Sequence, residues 1–518
     1  MTAKRLAAID IGTNSIRCIV VEADGKGSYR VLDDEKVTVR LGEGLARDKA
    51  ISAQAWERAM EALVRMRKIV DGYRVCGIEA VATSAVRSAG NGSAFIAAIA
   101  ETVGIEVAII SGEEEAELAA LSAMTHFDME GIPFVMVDIG GGSLEVVTAV
   151  GRHLEQIRSL DLGAVLLTER FVISDPIQKA DYLKLRRHIR KELKGCFTGE
   201  ISPVACIIGS GGTVTSIASM VMAMRREEYG SIHGYELLRS ELVHLLAMLV
   251  RKDLKGRRSV PGLNPDRADI IVAGVAAIDV LMEFFSANLL RVNERGLREG
   301  LIIRGMRKHG LLTVSGQPRT WRESVLEFAR SCHVEIEHAQ QVGRLSVSIF
   351  DATAPIFSLG DRDRQMLEAA ALLHDIGYFI SYAGHHKHSY HLIRHADLFG
   401  FTPRERELIA NIARYHRKSI PKKKHEAFAR LTVPDRQLVQ RLGGILRLAD
   451  GLDRRRNSLV SDIRCRLTSS AFQVDVNASE DVSVELFGAR AKSDLFEKAF
   501  GRRLAIKRLE IVKPANVP

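Results

Sequence analysis

Phe134-Val-Met-Val-Asp-Ile-Gly-Gly-Gly-Ser-Leu-Glu-Val-Val-Thr-Ala-Val150 is the stretch on which the fold turns. Apolar residues fill 134–139 except at Asp138, four small residues follow, and 144–150 returns to strand-forming composition, so the segment reads as a hairpin with a polar tip. A second copy opens the chain: Leu6-Ala-Ala-Ile-Asp-Ile-Gly-Thr-Asn-Ser-Ile-Arg-Cys-Ile-Val-Val21. Both carry a strand, an Asp, Ile-Gly, a small polar turn ending in Ser, and a second strand. Copies this far apart indicate a duplicated domain rather than an array of short repeats. Between them, helical periodicity at 56–70 and 93–103 alternates with strand-like 77–82 and 105–110, which is α/β order.

Outward from the hairpins, the strand at 204–208 feeds a third glycine-rich turn, Gly209-Ser-Gly-Gly-Thr213, and a helix; the α/β part closes near Gly296-Leu-Arg-Glu-Gly300. Residues 311–319, with Ser315-Gly-Gln-Pro318, read as a linker. From about 320 to 453 the pattern is helical and holds most of the histidines. Short strands at 463–467, 472–476 and 482–486, then one helix, make a small α+β tail. The expected domains are 1–124, 125–310, 320–458 and 459–518. At 518 residues the chain is long enough for about three or four compact units.

Composition excludes several classes of protein. Hydrophobic residues at 46% and charged residues at 26% are those of a globular chain, and no apolar run is long enough to span a membrane. Asp10 interrupts the first apolar segment, which argues against a signal peptide. The six cysteines are scattered without a C-x-x-C pair, against a disulfide framework or a thiolate zinc site. A cytoplasmic protein with no membrane partner is expected. The formal net charge of +9 permits a polyanionic partner. Arg414, Arg417, Lys418, Lys422, Lys423, Lys424 and Arg430 cluster with only Glu426 opposing, either as a solvated face or as an attractor of polyanions.

Glycine-rich turns present backbone N–H groups in one concavity, a cradle for phosphate oxygens; a single such turn is equally a plain hairpin tip, but a matched pair favours the cradle. Asp138 at the strand end suits a hard divalent cation, and Glu145 on the next strand either reaches the same ion or is a plain exposed strand residue. The acidic run Ser111-Gly-Glu-Glu-Glu-Ala-Glu117 opens a helix. Its glutamates either favour the helix dipole or offer a base for water attack on a phosphoryl group, and spacing alone does not say which one.

Taken together and in order, Asp10-Ile-Gly-Thr-Asn-Ser15, Ser111-Gly-Glu-Glu-Glu-Ala116, Val137-Asp-Ile-Gly-Gly-Gly-Ser-Leu-Glu145, Leu162-Gly-Ala164, Gly209-Ser-Gly-Gly-Thr213 and Gly296-Leu-Arg-Glu-Gly300 resemble the exopolyphosphatase and guanosine pentaphosphate phosphohydrolase family of the actin/Hsp70/sugar-kinase superfamily. The resemblance implies two RNase-H-like, actin-like halves forming a cleft, an all-α HD-like domain and a small α+β domain. It implies Mg²⁺-dependent release of terminal orthophosphate from inorganic polyphosphate, or alternatively from guanosine pentaphosphate. By motif, Glu115 is the catalytic base, Asp138 and Glu145 are the metal carboxylates, and Gly140, Gly141, Gly142 and Ser143 form the phosphate loop. Asn14 and Ser15 form the opposing turn, and Arg87 faces phosphate. Leu144 departs from the family's usual Thr. Inorganic polyphosphate is the expected partner, with guanosine penta- or tetraphosphate the other candidate and no specific nucleic acid; a homodimer is expected. A nucleotide-dependent kinase and a non-enzymatic alarmone-binding scaffold are the remoter readings.

In the helical part His338 shares a stripe with Val342, Leu345 and Ile349, His374 with Leu367 and Ala371, and Asp450 with Leu442 and Leu446. Each therefore points inward. With Asp375 they resemble the HD superfamily pattern and imply either a second divalent metal, with His386 and His416 as candidates for a further one, or a vestigial histidine-bearing core. His385, His388, His391 and His395 are expected at the surface or in structural roles.

Overall fold

The computed structural model describes residues 4–23, 29–129, 131–197, 203–312 and 320–509. Two compact units emerge, the first formed by 1–228 with 232–318 and the second by 229–231 with 319–518. From 313 on, the expected linker lies outside the described residues. No described helix is long and apolar enough to cross a membrane.

The first unit holds two sheets with one plan. In the first, β1 (Lys4–Ile11), β2 (Ser15–Ala23), β3 (Tyr29–Thr38), β4 (Gly77–Ala82) and β5 (Ala108–Ile109) lie in the order β3-β2-β1-β4-β5. Strands β1 to β3 are antiparallel neighbours, while β4 and β5 run parallel to β1. In the second, β6 (Pro133–Ile139), β7 (Leu144–Val150), β8 (His153–Leu160), β9 (Cys206–Ser210), β10 (Glu236–Leu238) and β11 (Leu289–Val292) lie in the order β10-β11-β9-β6-β7-β8. Again three antiparallel strands are followed by two parallel ones, β9 and β11. The duplication inferred from the two hairpins is thus a duplication of sheet topology, the RNase-H-like half repeated as in actin-like folds.

Each sheet is buried on both faces, so its central strands carry apolar residues without strict alternation. Ala7, Ile9 and Ile11 of β1 pack on helices Ala53–Tyr73 and Gly92–Val103, whose apolar residues recur at helical spacing. On the other face, Leu6 and Ala8 meet Leu301, Ile302 and Met306 of helix Leu297–Lys308. Helix Gly112–His126 follows the first sheet in sequence but lays Ala116, Ala120 and Ala123 against Met136 and Val147 of the second. That crossing brings the first turn of a half-I helix to the strand ends of half II.

The second unit is a helical bundle whose apolar core is continuous with a three-stranded sheet. The sheet order is β12 (Asp462–Leu467), β13 (Ala471–Asn477), β14 (Arg503–Arg508). The strand expected at 482–486 is instead the start of helix Ser483–Ala491. Its apolar alternation is not a strand's: Val482, Glu485, Gly488 and Ala489 are the buried positions, a helical spacing, with Glu485 held by Arg455.

Candidate active site

The two hairpin tips meet. A Cβ placed on Gly141 would lie 2.9 Å from Thr13 Cβ, and one on Gly142 would lie 2.9 Å from Thr13 Oγ1 and 2.5 Å from Ser84 Oγ. Both tips are closed in the same way, Gly12 N–H donating to Ser15 O at 3.2 Å and Gly140 N–H to Ser143 O at 3.0 Å. Their carbonyls are tied back into the fold. Gly163, Ala164 and Val165 N–H donate to the carbonyls of Gly142, Gly140 and Gly141 at 3.1, 3.0 and 2.9 Å, while Val39 and Arg40 N–H donate to Asn14 O at 3.1 and 2.9 Å. Among the described residues no protein acceptor takes the amides of Thr13, Asn14, Gly141, Gly142 or Ser143. With their oxygens occupied and their N–H groups without protein acceptors, these five amides suit an anion.

Carboxylates gather at the same place. Asp10 and Asp138 end β1 and β6, and Glu145 pairs with Asp138 across the β6–β7 ladder. Glu145 is 2% exposed and its Oε1 accepts from Ser159 Oγ at 2.9 Å. Burial, opposed by a Ser210 hydrogen bond and helped by Asp10, raises Asp138 to about 6. Burial and then Asp138 raise Glu145 to about 8, against Ser143 and Ser159. Burial also raises Asp10, with Arg17 and Arg298 opposing, and one Asp10 oxygen has no hydrogen-bond partner. Such a set of crowded oxygen donors is one that a hard divalent cation relieves.

Glu115 reaches this cluster from the first turn of helix Gly112–His126, which Ser111 caps by accepting from Glu114 N–H at 3.1 Å. Burial, then Glu145 and Asp10, hold it well above the ordinary carboxylate value, with Arg87 opposing. Arg87 Nη1 lies 3.3 Å from Glu115 Oε2 and donates to Ile110 O at 2.8 Å. Glu113 and Glu117 are exposed, and Glu114 pairs with Arg304 at 2.7 Å. The choice of Glu115 within the acidic run therefore rests on burial and on its neighbours. The third turn also converges here: a Cβ on Gly211 would lie 2.9 Å from Asp138 Oδ1. Leu144, which stands where the family usually has Thr, is fully buried and pairs with Ile139.

Four cations escape a reading of the sequence. Arg17, Lys36, Arg267 and Arg298 oppose one another's charge: burial, then Arg298, lowers Arg17; burial, then Arg17, lowers Arg267 to about 10; burial, then Arg17, Arg267 and Arg298, lowers Lys36 to about 8. Arg298 pairs with Asp34. Among the described residues no carboxylate closes an ion pair with Arg17, Lys36 or Arg267, although the Arg267 side chain is almost wholly buried. A buried Arg267 and a half-buried Arg17, neither within ion-pair range of a described carboxylate, together with the exposed Lys36, make the surroundings of the cradle attractive to an anion.

In the second unit, His338, His374 and Asp450 come together as expected from their stripes, with Asp375 beside them. His338 Nε2 and His374 Nε2 lie 3.8 and 4.0 Å from Asp450 Oδ1, and 4.0 and 3.5 Å from Asp375 Oδ2. The other Asp375 oxygen faces His385 Nε2 at 3.2 Å and His416 Nε2 at 3.6 Å. His385, expected at the surface or in a structural role, is 1% exposed and faces the cluster, whereas His386, expected as a candidate ligand, does not contribute a donor. Gly384, with φ of 74° before the helix, turns position 385 inward. His388, His391 and His395 stay outside the cluster. Burial lowers His374 and His416, disfavouring their charged forms, while Lys492 foremost among its partners holds Asp450 below the usual range despite burial.

Two family models cover most of the chain. Residues 19–309 match the Ppx/GppA phosphatase family, and residues 321–486 match its domain III. Among solved structures, the Aquifex aeolicus Ppx/GppA family member is 28% identical with a TM-score of 0.52, covering 59% of this chain and 99% of its own. An exopolyphosphatase from Cytophaga hutchinsonii is 27% identical with a TM-score of 0.54, covering 58% of this chain and 98% of its own. An exopolyphosphatase-like protein is 25% identical with a TM-score of 0.56, covering 60% and 99%. Facing amide tips, the carboxylate cluster and the family match over more than half the sequence agree, and the chain belongs to the Ppx/GppA phosphatase family, a family of hydrolases.

Proposed function

We propose that the first unit is an exopolyphosphatase, releasing orthophosphate from the end of inorganic polyphosphate. The observation that carries this reading is the group of unpaired cations, Arg17, Lys36 and Arg267, beside the free amides of the two tips. A terminal phosphoryl group sits with its oxygens on the amides of Gly141, Gly142 and Ser143 from one side and of Thr13 and Asn14 from the other. The cations take the following phosphates of the chain. Glu115 accepts a proton from water, the water oxygen bonds to the terminal phosphorus, and the bridging P–O bond breaks toward the shortened chain. Arg87 orients Glu115 and places positive charge beside the negatively charged oxygens of the transferred group. Asp10, Asp138 and Glu145 would hold Mg²⁺, which supplies charge neutralisation at the phosphoryl oxygens.

The test is kcat/KM for phosphate release from long polyphosphate, guanosine pentaphosphate and ATP, measured side by side with Mg²⁺. Polyphosphate is expected to give the highest value. A higher value for guanosine pentaphosphate would move the assignment to the nucleotide, and release only with ATP and an acceptor would make the protein a kinase.

A further inference from the structure

We propose that Ser159 is a positioning residue of the first unit: its hydroxyl fixes the direction of the Glu145 carboxylate toward the divalent cation, and the start of the helix that carries Glu115 fixes the hydroxyl. The inference rests on the metal role proposed for Glu145 and not on the identity of the substrate.

Register puts the groups in a row. Glu145 of β7 lies between Asp138 of β6 and Ser159 of β8, each pair directly opposite in its antiparallel ladder, so all three side chains leave the sheet on one face. That face is the one covered by helix Gly112–His126, since Ala116, Ala120 and Ala123 rest on Met136 and Val147, two positions along from Asp138 and Glu145. Asp138 therefore stands on one side of Glu145 and Ser159 on the other.

The two neighbours act on Glu145 in opposite senses. Asp138 repels its negative charge, and Glu145 is in turn the leading charge that acts on Glu115. Ser159 Oγ donates to Glu145 Oε1 at 2.9 Å. Ser143 is the other hydroxyl bonded to Glu145, but it stands in the glycine-rich tip rather than on a strand. The last torsion of a glutamate side chain is broad, so a carboxylate without donors turns among directions of similar energy. A hydrogen bond from a fixed strand removes much of that freedom, as outer partners do for carboxylates that ligate metals.

Ser159 is itself held from the other half. A Cβ on Gly112 would lie 2.3 Å from Ser159 Cβ and 2.4 Å from Ser159 Oγ, so the first residue of the helix touches the side chain and only glycine leaves it in place. Arg87 Nη2, from the guanidinium that also meets Glu115, would lie 3.7 Å from the same Cβ. Glu115 stands three residues on from Gly112, one helical turn along the same side. One hydroxyl thus lies between the turn that delivers the base and the carboxylate proposed for the metal, and a shift of that helix is passed to Glu145. Serine serves both contacts, being small enough for Gly112 to approach while still carrying a donor; alanine would serve only the packing.

The test measures Mn²⁺ binding to the full chain by electron paramagnetic resonance without substrate, and the Mg²⁺ dependence of phosphate release. The Mn²⁺ site that counts is the one Glu145→Gln removes, which separates it from any held by the histidines of the second unit. Ser159→Ala is expected to weaken that site about tenfold and to raise the Mg²⁺ concentration for half-maximal release by about as much. KM for polyphosphate at saturating Mg²⁺ is expected to change by less than about twofold. Gly112→Ala, which forces Ser159 aside while keeping its hydroxyl, is expected to shift both metal readouts in the same direction. A serine that only packs would lower the urea midpoint and leave Mn²⁺ affinity at the wild-type value; that result, or wild-type metal binding in Gly112→Ala, would overturn the proposal. Should Ser159→Ala not fold, Ser159→Cys, of similar shape and with a weak donor, makes the same test. Polyphosphate yielding no phosphate while the Mn²⁺ differences persist would count against the exopolyphosphatase reading and leave Ser159 standing, whereas Mn²⁺ binding unchanged by Glu145→Gln would overturn the metal role and this proposal together.

Discussion

Lys36 carries the charge for which the folded first unit has least use until an anion arrives. Its folded value of about 8 lies below the ordinary 10.5, through burial and the guanidiniums of Arg17, Arg267 and Arg298. Folding therefore disfavours its protonated form, so stability grows as pH rises from about 8 through 10.5 and that gain is lost as pH falls through 8. Lys36→Met is expected to raise the melting temperature near pH 7, with the gain shrinking near pH 10; thermal unfolding at both values checks it, and equal gains would contradict the reading. The same substitution is expected to raise KM for polyphosphate. None of these cations was legible beforehand, although Arg17 stands two positions beyond Ser15 and Arg298 lies within Gly296–Gly300. A basic residue on a strand reads as a solvent-facing side chain, and only the tertiary fold removes its counter-ion. The swap of His385 for His386 has the same origin: adjacent residues on a helix differ in facing by about 100° of rotation, and the turn at Gly384 sets the phase.

At the scale of elements, the hairpin tips depend on what ties down their carbonyls. Gly163 is the tightest point, since a Cβ there would lie 2.3 Å from both Gly141 O and Gly142 C. Backbone cannot yield as a flexible side chain does, so Gly163→Ala is expected to cost about 1–3 kcal/mol in urea unfolding and to lower phosphate release by turning the amides away. Wild-type stability and activity would show that the tip is not held as described. The hairpins, and the long helices of the bundle, were readable because their periodicity is imposed by burial. The helix at Ser483–Ala491 was not, because Glu485, a buried charge paired with Arg455, breaks the apolar pattern that marks a face.

For the whole molecule, the cation group makes ligand binding and stability one quantity. A polyphosphate present at about 100 times its Kd is expected to stabilise the Glu115→Gln chain by about 2.7 kcal/mol against unfolding, provided the unfolded chain does not bind it. The gain is expected to fall with added salt, as screening of exposed phosphates requires. Differential scanning calorimetry at low and high ionic strength measures it, and a salt-independent gain would show that the cations are not in contact with the chain of phosphates. What the sequence showed at this scale was the duplication and the helical change of texture; the crossing of helix Gly112–His126 to the second sheet, which delivers Glu115, is a long-range event that no local pattern announces.

The central claim, that Glu115 draws a proton from water attacking a terminal phosphoryl group held between two amide tips, is tested most directly by phosphate release from long polyphosphate in ¹⁸O-water. The wild-type chain is expected to place one solvent oxygen in each orthophosphate released, and Glu115→Gln to lower the rate by roughly 10²–10⁴ with little change in KM. Near-wild-type release by Glu115→Gln, or orthophosphate without solvent oxygen, would contradict it.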